Sequence, residues 1–96
     1  MKTIYKYTVT GIPLQNKIEM PKGATILTCN MQGANCCMWA LVDTEMEKEE
    51  REFEIVGTGW QIYDSMSYVG TCFANDGFVW HIMEIYANEQ TNSTTC

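Results

Sequence analysis

The residues of this 96-residue chain that could do chemistry are five cysteines, a single histidine, a glycine-flanked loop and a run of glutamates. A turn at Gly33–Asn35 would set Cys29 opposite Cys37, and with Cys72 and His81 that makes four donors, enough for a zinc ion. The spacing argues against it. Zinc sites announce themselves by paired Cys-x-x-Cys ligands, and no such pair occurs. Adjacent Cys36 and Cys37 point to opposite sides of a strand, so they neither chelate nor form a redox pair. No metal and no cofactor is expected, and the thiols read as small buried hydrophobes.

His81 could serve as a base beside Cys72 or a serine, but a third group must then orient the ring. Glu84, three residues along a strand, lies on the opposite face. The expectation is a hydrogen-bonded structural histidine, with no catalytic residue assigned. Gly57-Thr58-Gly59-Trp60 offers backbone amides, a hydroxyl and an indole, groups suited to a small anionic or aromatic ligand. It precedes no helix, so it is neither a phosphate-binding loop nor a dinucleotide fingerprint. Read structurally, it is a tight turn with Trp60 packed on the core. As a ligand site, it would comprise Gly57, Thr58, Gly59, Trp60 and His81.

Between Asp43 and Glu54 stand seven acidic residues against Lys48 and Arg51, most of the net charge of −6. Read structurally, this is a solvated excursion that keeps the protein in solution. Functionally, Glu45, Glu47, Glu49 and Glu50 are candidates for meeting a basic surface on a partner. The sequence pI of about 4.5 makes nucleic acid a poor fit, since the bulk field repels phosphate.

These groups must be positioned by strands. Cys36–Asp43 is apolar on both faces, with Cys37, Trp39 and Leu41 on one and Cys36, Met38, Ala40 and Val42 on the other. Such a strand needs cover on two sides, and Trp39 and Trp80 read as core. Its hairpin partner is Ala24–Gln32. Lys2–Val9 alternates, with Tyr5, Tyr7 and Val9 on one side; Asn16–Met20 is a short strand, and Pro21-Lys22-Gly23 fits a turn with proline second. Thr44 and Glu47 have capping-box spacing in a charged loop that could curl into one helical turn. Arg51–Gly57 alternates again, with Phe53 and Ile55 inward. Tyr68–Phe73 and Phe78–Tyr86 flank an Asn75-Asp76-Gly77 turn. The count is about seven mostly antiparallel strands in a small sandwich or partly closed barrel, all-β with little or no helix. One domain is expected over 1–87, followed by a flexible polar tail, 88–96, in which the Asn92-Ser93-Thr94 sequon is idle.

Hydrophobic residues at 46% and charged residues at 19% describe a globular chain that could hide further surface in a homo-oligomer. No apolar run approaches the ~18–20 residues that span a bilayer, and the opening MKTIYKYTV has no signal-peptide core. A cytosolic protein with free thiols is expected.

In this order, MKTIYKY, IEMPKGATIL (18–27), WALVD (39–43), REFEIVGTG (51–59), YVGT (68–71) and WHIMEIY (80–86) resemble a family of small, functionally uncharacterised proteins encoded in bacteriophage genomes. The family pattern places a histidine after the GTG, where this chain has Trp60; His81 matches its terminal strand. The resemblance implies expression in the host bacterial cytoplasm and no reaction. The expectation is an accessory protein that binds a host component, with antagonism of a defence system as the setting. The alternative is an oligomeric small-ligand binder that sequesters a signalling nucleotide, and a cysteine-dependent enzyme is a distant third.

Overall fold

Seven antiparallel strands form two sheets in the computed structural model, which describes residues 1–11 and 15–86. They are β1 (Lys2–Val9), β2 (Gln15–Pro21), β3 (Thr25–Gln32), β4 (Asn35–Asp43), β5 (Lys48–Gly57), β6 (Met66–Phe73) and β7 (Val79–Ile85). One sheet has the order β1-β4-β3 and the other β2-β5-β7-β6, so the fold is a sandwich and neither sheet closes into a barrel. The tail expected at 88–96 lies outside the described residues.

Alternation explains the core. Tyr5, Tyr7 and Val9 stand opposite Ala40, Met38 and Cys36 on the inner face of the smaller sheet. Phe53 and Ile55 stand opposite Glu84 and Ile82 on the inner face of the larger one. Met38, Ala40, Phe53, Cys72 and Ile82 are wholly buried between the sheets. The outer face of β4 is only half covered. Cys37 is buried there, but Trp39 is half-buried and Leu41 is 41% exposed, so Trp39 is not the core residue its neighbours suggested.

Three local expectations are corrected by the hydrogen bonding. The β3–β4 loop is the two residues Gly33-Ala34, because Gln32 already pairs with Asn35. Gly33 takes a φ of 62°, the first-position demand of a type II′ hairpin turn. The register therefore sets Cys29 opposite Met38, and Cys37 faces Asn30. In the turn after β2, Ala24 N–H donates to the Pro21 carbonyl, so the proline comes first and Gly23, with φ 83°, takes the third position. No helical turn forms at Thr44. Its hydroxyl donates to the Met1 carbonyl, while Asp43 accepts from Glu45 N–H. β5 then begins at Lys48, which puts most of the glutamates on a strand, in register with β2.

Candidate functional site

The larger sheet positions most of the predicted residues. Thr71 on β6 and Val56 on β5 flank His81 on β7, all three on the outer face. The turn that follows β5 is closed by Trp60 N–H donating to the Gly57 carbonyl, and Gly59 takes a φ of 90°. It swings Thr58 back over His81. Thr58 Oγ1 lies 2.8 Å from His81 Nε2, Thr71 Oγ1 lies 3.0 Å from Nδ1, and Tyr68 Oη lies 2.6 Å from Thr71 Oγ1. A neutral imidazole donates through one nitrogen and accepts through the other, so one threonine gives a hydrogen bond and the other receives one. The ring is held by hydroxyls.

Gly57, Thr58, Gly59, Trp60 and His81, singled out from sequence, therefore do come together, around a shallow pocket of about 360 Å³ with Met83 and Tyr68. Gly57 has a specific reason to lack a side chain: a Cβ there would strike the Trp60 indole at 2.7 Å. Trp60 in turn packs edge-on against Trp80, with ring centroids 5.9 Å apart. A Cys72–His81 dyad is not assembled. Cys72 pairs with Trp80 on the inner face, one residue out of step with His81, and the sheet stands between the two groups.

The thiols form a buried cluster. Cys72 contacts both Cys29 and Cys36, and burial pushes all three above the ordinary thiol range. Cys36 Sγ donates to Met31 Sδ at 3.5 Å. Among the described residues, no group of histidine, cysteine, aspartate or glutamate side chains has the arrangement of a metal site.

The predicted acidic residues separate. Glu45 and Glu47 lie in the β4–β5 connection, where Glu45 sits 3.5 Å from the N-terminal amine. Glu49 shares the inward parity of Arg51 at the sheet end and accepts from Gly23 N–H. Of the four, Glu50 alone joins the outer face, opposite Glu19 and in line with Glu52 and Glu54. That face thus carries Glu19, Glu50, Glu52 and Glu54 on β2 and β5, with Lys17 opposite Glu52, and exposes two aromatics on β6: Tyr68 (63%) in line with Glu54, and Phe73 (69%) toward the opposite end of the sheet.

Sequence reasoning missed a pair inside the sandwich. Arg51 Nε and Nη2 donate to the two Glu84 oxygens, and Nη1 donates to the Ala24 carbonyl. The signal was present, since Arg51 shares parity with Phe53 and Ile55, and Glu84 with Trp80 and Ile82.

Residues 1–93 match the family model described as a domain of unknown function, DUF7352. The chain belongs to the DUF7352 family. No curated protein and no solved structure matches it. The DUF7352 match takes in all seven strands, so the sandwich and its outer face belong to the family's domain. Among the described residues no helix is long and apolar enough to cross a membrane.

Proposed function

We propose that this is a binding protein without catalytic function, of bacteriophage origin, that engages a basic protein of the infected cell through the outer face of its larger sheet. One observation carries the reading. Glu19 and Glu50 stand directly opposite each other, with Glu52 and Glu54 further along the same face and Lys17 opposite Glu52, on a sheet that also exposes Tyr68 and Phe73. Like charges in cross-strand register oppose folding. Exposed aromatics beside charge are the usual anatomy of an interface, an aromatic centre with a polar rim. The likeness of the sequence to phage-encoded proteins supports a place in the host cytoplasm, with antagonism of a defence system as the role.

The test is capture from host lysate with the intact protein and two variants. One carries Glu19, Glu50, Glu52 and Glu54 changed to glutamine, the other Tyr68→Ser with Phe73→Ser. The reading requires a basic partner that both variants lose and that rising salt releases. An identical set of captured proteins in all three samples would refute it.

The gathering of Thr58, Trp60 and His81 around one pocket supports the small-ligand part of the second reading, an oligomeric small-ligand binder. For a signalling nucleotide that support is thinner, because the pocket lining contains no lysine or arginine to meet a phosphate.

A further inference from the structure

The two sheets part at the end of the sandwich where the Gly33-Ala34 loop and the end of β1 face β7. The gap is a cleft of about 300 Å³, at the small end of the range that holds small molecules. Cys36 and Met31 line its sulfur side, Val9 and Ile55 its aliphatic side, and Trp60 and Trp80 its aromatic side. In a chain of net charge −6, none of the described residues lining this cleft is charged.

Both indoles rest against neighbours. Trp60 lies against the bare backbone of Gly57, where a Cβ would displace it. Trp80 is stacked on its other side by Phe78, at 5.7 Å and 27°. The rim on the β1 side is also fixed, since Asn16 Oδ1 accepts from both the N–H and the hydroxyl of Thr10, at 2.9 and 2.8 Å. Asn35 brings a carboxamide to the lining.

We propose that this cleft binds an uncharged mono- or bicyclic aromatic molecule, its ring between Met31 and the Trp60–Trp80 pair and one polar group directed at Asn35. Indole edges and a thioether favour an aromatic ring over an aliphatic chain of equal volume. A charged ligand would lose its hydration with no counter-charge in the lining. The cleft shares Trp60 with the pocket over His81, but Trp80, Met31 and Asn35 line this cleft alone, so a shift at Trp80 marks binding here.

The probe is 2-naphthol, a neutral bicycle with one hydroxyl, titrated into ¹⁵N-labelled protein. The chain has three indole N–H reporters, and Trp39, which points outward from the other sheet, is the internal control. Saturable shifts are expected at Trp60 and Trp80 and not at Trp39. The charged analogue 2-naphthoate should bind at least about tenfold more weakly. Ala34→Trp, at an exposed loop position with no positive φ, should fill the mouth and abolish the saturable shifts while the strand resonances stay in place. The proposal is overturned by equal shifts at Trp39, by no shift up to the solubility of the probe, by equal affinity for 2-naphthoate, or by undiminished binding to Ala34→Trp.

Discussion

Arg51 grips Glu84 with two prongs of its guanidinium, at 2.7 and 2.9 Å, and with the third reaches across to the Ala24 carbonyl at 2.6 Å. Arg51 and Glu84 sit on β5 and β7 of the larger sheet, and Ala24 leads into β3 of the smaller one, so a single side chain ties three strands and both sheets. The carboxylate in turn holds the guanidinium charged above its ordinary range. Glu84 is 7% exposed, so neither charge can be left alone without cost.

Removing one partner should therefore hurt far more than removing both. Arg51→Met leaves a buried carboxylate unpaired and should cost about 3 kcal/mol. Arg51→Met with Glu84→Leu replaces the pair by apolar groups and should recover most of that loss. Urea unfolding of the wild type and the single and double variants measures both. If the double variant is as unstable as Arg51→Met, the pair is a net source of stability and this account of it is wrong.

Two glycines make close contacts of different kinds. A Cβ at Gly70 would land on the Cys29 sulfur, in the buried seam where β6 runs beside β3. Gly70→Ala should cost about 1–3 kcal/mol by overpacking, and Cys29→Ala in the same chain should restore part of it. A Cβ at Gly57 would strike Trp60, which is 55% exposed and can swing away. Gly57→Ala should barely move the unfolding midpoint yet shift the tryptophan emission. Equal losses of stability at the two positions would contradict the distinction.

These contacts also mark how far the sequence could be read. Seven strands, their alternation and the opposite parity of His81 and Glu84 were all legible, because period-two patterning follows directly from the pleat. The grouping of Gly57, Thr58 and Trp60 with His81 was legible as a set, although its hydroxyl partners Thr71 and Tyr68 were not. The register of Cys29 was missed by one residue, since Gly33-Ala34 closes the hairpin without Asn35. Trp39 looked like core because composition cannot tell which face of an apolar strand a small sheet leaves uncovered. The glutamates looked like a loop because charge density masked an alternation that pairing with β2 extends back to Lys48.

Alkaline pH tests the buried thiols. Burial first, and then contact with Cys29, raise Cys72 above the usual 9.0, and burial raises Cys29 and Cys36 in the same direction. A raised value in the folded state means that the unfolded chain gives up its protons first. The contribution to stability is therefore complete below pH 9.0 and is lost as the pH rises through the folded values. Unfolding midpoints should fall as the pH is raised past 9.0, with a shallower fall in Cys72→Ala. At neutral pH the folded protein should shield Cys29, Cys36, Cys37 and Cys72 from iodoacetamide, and urea should expose them. Rapid native labelling of any of the four would contradict their burial.

Glu50 faces Glu19 across the β2–β5 ladder, and neither forms an ion pair among the described residues. Reversing one of the two charges should relieve the repulsion and add a cross-strand attraction. Glu50→Lys is expected to stabilise the fold by about 0.2–1 kcal/mol, read as a higher thermal midpoint. The gain should shrink as salt is raised, because both groups lie at the surface. If the face is the docking surface, the same substitution should weaken partner capture while the fold becomes more robust. A gain in stability with undiminished capture would separate the two effects and locate binding elsewhere. A thermal midpoint that does not move at low salt would show that the opposed carboxylates already avoid each other.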